Sequence, residues 1–166
     1  MAIGISGPQP LAGKHDCDEF DCGEPQLNDW LKRRALANQA SGASRTFVVV
    51  DDRQRVMGYY ALAAGTVAHR ESTGAVRRNM PDPIPVMVLA RLAVDRGARG
   101  KQLGGALLKD VVLRALSVAE NAGVRALLIH ALHDDAKAFY QHYGFQESPA
   151  DPMTLMLRLP RSTKRP

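Results

Sequence analysis

Val94-Asp95-Arg96-Gly97-Ala98-Arg99-Gly100-Lys101-Gln102-Leu103-Gly104-Gly105 is the stretch that decides the fold. Upstream of it, Val86-Met87-Val88-Leu89-Ala90-Arg91-Leu92-Ala93-Val94 is a nearly continuous apolar run, the pattern of a buried strand. Downstream, Leu103, Leu107, Val111, Ala115, Val118 and Ala119 recur at helical spacing. A glycine-rich turn therefore joins a buried strand to a long amphipathic helix. Such a junction aims free backbone N–H groups, the positive end of the helix and nearby cations at one spot, which suits a phosphate or pyrophosphate. Two familiar phosphate loops do not fit. The stretch lacks the G-x-x-x-x-G-K-S/T pattern, and Gly97, Gly100 and Gly104 are spaced wrongly for G-x-G-x-x-G.

Working outward, Pro25 is placed for the first turn of a helix, and Leu27, Trp30, Leu31 and Ala35 mark one apolar face running to about Gln39. This reading puts Lys32-Arg33-Arg34 inside one helix, which Ser41-Gly42 ends. Thr46 to Val50 and Val56 to Ala64 read as an antiparallel hairpin around the turn Asp51-Asp52-Arg53-Gln54. Residues 66–85 read as an irregular, stiff loop carrying Arg77-Arg78, because Pro81, Pro83 and Pro85 exclude helix and central strand. Beyond the long helix, Gly123 is the stop and Arg125 to Ala131 a second buried strand. Asp134 or Asp135 caps a helix through Tyr143, Gly144 ends it, and Met153 to Leu159 supplies a last strand. The order of helix, hairpin, strand, helix, strand, helix, strand predicts an α/β sandwich with a mixed sheet. Residues 1–13 are expected to be irregular or a short edge segment, and the basic tail Arg161 to Pro166 to be frayed.

The 166 residues, 45% of them hydrophobic, are enough for a single domain with a real core, and no internal repeat is seen. No apolar run is long enough to span a membrane, and the first residues look nothing like a signal peptide, so a cytoplasmic protein is expected. Cys17 and Cys22 make no disulfide framework. With His15 they imitate a metal site but lack a fourth ligand, so no metal is expected. The net charge of +5 admits an acidic partner. Lys32-Arg33-Arg34 and Arg77-Arg78 each read singly as a solvated face; together, beside a polyanion loop, they point to a larger polyanion.

The glycine turn resembles the acetyl-CoA pyrophosphate loop of the GNAT N-acetyltransferases, whose pattern is roughly Arg/Gln-x-x-Gly-x-Gly/Ala. Arg99 then opens the motif and Gly104 closes it, while Gln102 stands where the family has its middle glycine. Either Gln102 is an ordinary helical residue with its side chain turned away, or the missing glycine lowers cofactor affinity. Ala136-Lys137-Ala138-Phe139-Tyr140-Gln141-His142-Tyr143-Gly144-Phe145 resembles the family's A-x-x-F-Y-x-x-x-G-F run, whose tyrosine faces the cofactor sulfur. The resemblance implies a GNAT fold, acetyl-CoA as co-substrate and Tyr140 as catalytic acid. It also implies cofactor contacts at Leu92, Ala93, Val94, Arg99, Gly100, Lys101, Gln102, Leu103, Gly104 and Gly105, and at Phe139, which by itself reads as a core aromatic.

A closer resemblance covers about residues 8 to 159. Cys22-Gly23, Trp30 to Ala35, Gly42 to Val48 and above all Arg77-Arg78-Asn79-Met80-Pro81-Asp82-Pro83-Ile84-Pro85-Val86 are similar to the TacT/KacT-type GNAT toxins of type II toxin–antitoxin modules. That family implies acetylation of the α-amino group of aminoacyl-tRNA and arrest of translation, a ribbon–helix–helix antitoxin partner and a homodimer. Lys32, Arg33, Arg34, Arg77 and Arg78 then become the tRNA-binding candidates. The chemistry agrees. Leu89 to Val94 carries no carboxylate base. A lysine amine, with a pKa of about 10.4, would want one, whereas an α-amine at about 7.7–8.0 is already partly neutral; His130 or His133 could still serve. The alternatives are a GNAT enzyme acting on a small amine or a protein N-terminus, and a non-catalytic CoA-binding module, for which only Gln102 speaks.

Overall fold

The computed structural model describes residues 4–160; the frayed tail expected at residues 161–166 lies outside them. One seven-stranded sheet has the order β1-β2-β3-β4-β5-β7-β6. Its strands are β1 (Gln9–Pro10), β2 (Arg45–Val50), β3 (Val56–Val67), β4 (Ile84–Val94), β5 (Ala126–His130), β6 (Gln146–Glu147) and β7 (Thr154–Arg158). The helices are α1 (Pro25–Arg33), α2 (Ala35–Ser41), α3 (Gly74–Arg77), α4 (Leu103–Asn121) and α5 (Asp134–His142). β4 and β5 run parallel, joined through α4, while β1–β2, β2–β3, β5–β7 and β6–β7 are antiparallel. This is the mixed sheet that the element order predicts.

The chain forms two compact units. The first holds the residues up to Ala63 together with Ala90–Val111. Its core gathers Phe20, Trp30, Leu31, Val48, Val50, Tyr59 and Ala93. Tyr59 stacks on Trp30 at 6.0 Å and donates its hydroxyl to the Leu27 carbonyl at 2.7 Å. Gly58 allows close packing: a Cβ there would stand 3.0 Å from a Leu107 methyl of α4, which would have to give way. The single helix expected through residue 39 is in fact two. Arg34, at φ −122°, separates α1 from α2, so Lys32 and Arg33 end one helix while Arg34 precedes the next. Leu31 and Ala35, four residues apart on either side of the break, are both buried in the core.

The second unit holds Ala64–Leu89 and Val112 onward, around Val67, Val76, Ile84, Val86, Ala126, Leu128 and Met156. The loop expected over residues 66–85 is more ordered than its prolines suggest. It contains a 3₁₀ turn at His69–Glu71 and α3, whose last residue is Arg77 and whose cap is Arg78. Arg125 braces α3 by donating to the carbonyls of Val76 (3.0 Å), Ala75 (3.1 Å) and Arg78 (3.3 Å). The ring of His69 donates through Nε2 to the carbonyls of Met80 and Pro81, and its backbone N–H reaches Asp82. Pro85 already lies in the central strand β4, against expectation. Near a strand's start a proline removes little pairing, and its carbonyl accepts from Arg125 N–H at 2.9 Å.

Candidate active site

In the first unit, Leu92, Ala93 and Val94 end β4. The pairing of β4 with β5 runs from Val86↔Ala126 to Leu89↔Ile129, and β4 itself continues to Val94. Asp95 then turns the chain. Its N–H reaches the Met57 carbonyl, and its carboxylate accepts from the N–H groups of Gly97 (2.8 Å) and Asp21 (2.9 Å). Gly100 has φ +81°, and Gln102 also lies in the left-handed region at φ +57°. The ordinary helical conformation weighed for Gln102 is thus ruled out: this residue adopts the backbone that a glycine would supply. Its carbonyl accepts the Ala106 N–H at 3.2 Å, opening α4. The N–H groups of Leu103, Gly104 and Gly105 precede that first bond, so helix geometry leaves them available to an anion. Arg99 does not extend freely from the loop, because its guanidinium donates to the Cys22 carbonyl.

The same unit holds a group that the sequence reading passed over. Arg91 sits on β4 with its guanidinium 4.2 Å above the Trp30 ring; burial lowers its pKa, and Tyr59 acts in the opposite direction. A lone cation within an apolar strand was the available signal. Cys17 and Cys22 are free thiols. Burial, then Asp16 and Asp18, push Cys17 up to about 11, against a smaller pull from Lys32. Burial raises Cys22 as well. His15 is buried, with Nδ1 accepting the Ala12 N–H.

In the second unit, α5 presents Tyr140. His133, in extended conformation, caps this helix by accepting the Ala136 N–H on Nδ1 at 3.1 Å. Asp134 and Asp135, expected as caps, occupy the first turn instead, where they complement the helix dipole. Tyr140 is 8% exposed, packed edge-on to Phe139 at 5.1 Å and Phe145 at 5.5 Å. Burial drives its hydroxyl pKa well above the usual value, so at neutral pH it holds its proton and is chemically an acid. Phe139 is half-buried and also meets Tyr143, which is the packing role its residue type suggests. His130 Nδ1 lies 2.8 Å from Thr154 Oγ1, which donates to Asp151 at 2.8 Å.

The basic clusters fall in different units. Lys32, Arg33 and Arg34 are exposed, and the first two line a pocket of about 400 Å³ with Lys14, His15 and Leu36. Arg77 and Arg78 are exposed too, with the Arg77 guanidinium donating to the Ser72 carbonyl at 3.2 Å.

The first unit thus carries a strand–turn–helix junction suited to a phosphate-bearing ligand, and the second a buried tyrosine on α5. Residues 42–147 match the acetyltransferase (GNAT) domain family, and the chain belongs to the GNAT acetyltransferases. It is 53% identical over 154 residues to the tRNA-acetylating toxin of Mycobacterium tuberculosis, covering 93% of this chain and 92% of that protein. Its fold matches the solved structure of AtaT complexed with acetyl-methionyl-tRNAfMet, at 24% identity, TM-score 0.86 and coverage of 93% and 94%. It also matches a mutant AtaT toxin bound to the C-terminus of the antitoxin AtaR and acetyl-CoA, at 24% identity, TM-score 0.80 and coverage of 93% of each chain.

Proposed function

We propose that this protein is a toxin that moves acetyl from acetyl-CoA to the α-amino group of aminoacyl-tRNA and so blocks translation. The observation that carries it is the 53% identity, along nearly the whole of both chains, to a tRNA-acetylating toxin. The family match takes in residues of both compact units, and we read the chain as one catalytic domain.

The residues fit the co-substrate. The N–H groups of Leu103, Gly104 and Gly105, with Gly100, Lys101 and Gln102 before them, hold the pyrophosphate, and Arg99 and Phe139 complete the cofactor contacts. Gly104 and Gly105 bring no side chain between backbone and phosphate. Leu92-Ala93-Val94, past the Val86–Leu89 pairing of β4 with β5, pairs with the pantetheine amides as an added strand would, and an N–H there steadies the oxyanion that develops during acetyl transfer. Tyr140 protonates the leaving sulfur. Lys32, Arg33 and Arg34 in the first unit and Arg77 and Arg78 in the second hold tRNA phosphates, with Arg125 fixing the backbone that carries the last two.

The partners proposed are aminoacyl-tRNA, a ribbon–helix–helix antitoxin and a second copy of the chain, in the cytoplasm. Among the described residues no helix is long and apolar enough to cross a membrane. Incubation with labelled acetyl-CoA and either charged or uncharged tRNA tests the reading. Label must appear on the amino acid of charged tRNA only; label on small amines with none on any charged tRNA refutes it.

A further inference from the structure

We propose that His130 is the general base of acetyl transfer, fixed in its basic tautomer by Thr154 and Asp151. The proposal rests on the aminoacyl-tRNA reading above. His130 is the last residue of β5, at the carboxyl end of the strand that runs parallel to β4. In α/β sheets, ligands are bound outside the carboxyl ends of such strands. His130 pairs directly with Thr154 across β5 and β7, so their side chains share a face.

The directions of the two hydrogen bonds follow from chemistry. Hydrogen bonds from the Met153 N–H and the Thr154 hydroxyl hold the Asp151 carboxyl below the usual carboxylate range, so it is ionised at neutral pH and only accepts. Thr154 therefore spends its single proton on Asp151 at 2.8 Å. Its oxygen can then only accept from His130 Nδ1, also at 2.8 Å. The ring proton resides on Nδ1, and the lone pair of Nε2 is left for a substrate. His130 is exposed, so that nitrogen is reachable. Among the described residues, Asp151 feels both His130 and Lys137 of α5, and Lys137 is paired with Glu147 at 2.5 Å. His133 has spent its Nδ1 on the cap of α5.

An α-amine with a pKa of about 7.7–8.0 is only partly neutral at pH 7, so a histidine suffices to free the rest, where a lysine amine would want a carboxylate. The acceptor ammonium gives one proton to His130 Nε2. Its freed electron pair forms the N–C bond at the acetyl carbon, and the C–S bond breaks. The sulfur takes the Tyr140 proton, the remaining surplus amine proton returns to the Tyr140 oxygen, and His130 releases its proton to water.

The test is acetylation of charged tRNA by the full chain carrying His130→Ala, with and without added imidazole. Turnover should fall by about 10²–10⁴-fold, with little change in the KM for acetyl-CoA. Imidazole should restore part of it, and should leave Tyr140→Phe unimproved. Thr154→Val should lower turnover, and Thr154→Ser should recover it. Activity of His130→Ala within threefold of wild type, or a loss that imidazole does not relieve, overturns the proposal. If wild type itself modifies no charged tRNA, the functional reading fails, and this proposal with it.

Discussion

At the residue scale, Gln102 is the informative departure. The family pattern has glycine there, and the backbone adopts the left-handed conformation that glycine favours, at φ +57°. A side chain in that region costs on the order of 1 kcal/mol. That cost is the same with and without the cofactor, so Gln102→Gly should leave acetyl-CoA affinity within a few-fold by titration calorimetry; markedly tighter binding would show that the side chain hinders the phosphate, and markedly weaker binding that it contributes a contact. Tyr140 stands out in the sequence because its motif is local, ten residues whose order alone carries the resemblance. Tyr140→Phe keeps the packing on Phe139 and Phe145 and removes only the hydroxyl. Turnover should drop by about 10²–10⁴-fold with cofactor affinity nearly unchanged, and a loss below threefold would assign the proton to another donor. The cap of α5 was not legible. Aspartate is the better capping residue by type, but here the extended residue is His133, and both aspartates are already helical. The relay from His130 to Asp151 was hidden for a related reason, since strand pairing brings together residues far apart in sequence.

At the scale of elements, β4, the glycine turn and α4 could be read directly, because apolar periodicity switches once from a buried strand to a helix. The break at Arg34 could not. Lys32, Arg33, Arg34 and Ala35 are all good helix formers, so no local signal announces the interruption, which appears only in the Arg34 backbone. α3 was missed because four residues carry no period, and it is held by Arg125 from the far side of a strand connection. That bracing bears on RNA binding. Arg77 and Arg78 end a short helix whose carbonyls are tied down, so their side chains leave from a fixed backbone. Replacing both by alanine should weaken charged-tRNA binding and flatten its salt dependence by roughly 0.7 in log–log slope per lost single-strand-like contact. Acetyl-CoA binding should stay as it was. Equal acetylation by wild type and double variant at every salt concentration would remove these arginines from the RNA site.

For the whole molecule, stability should respond to acid through a few carboxylates. Hydrogen bonds from Gly23 N–H and Asn28 hold Asp21 below its ordinary pKa. For Asp51, burial pushes upward but is outweighed by the Arg55 and Arg53 N–H groups and the Arg55 side chain. Asp151 is lowered by the Met153 N–H and Thr154. A depressed carboxyl stabilises the fold fully above its unfolded pKa, about 3.9, and loses that contribution as pH falls toward the folded value. Thermal midpoints should therefore hold steady above about pH 5 and decline below about pH 4, and Asp51→Asn should soften the decline; an unchanged slope would show that other groups drive it. The two cysteines carry a different consequence. Acetyl-CoA is a thioester, and a thiolate is the nucleophile that would exchange with it. With Cys17 pushed up to about 11 and Cys22 raised as well, both sulfurs stay as thiols at neutral pH. At neutral pH neither cysteine therefore offers the thioester a ready thiolate.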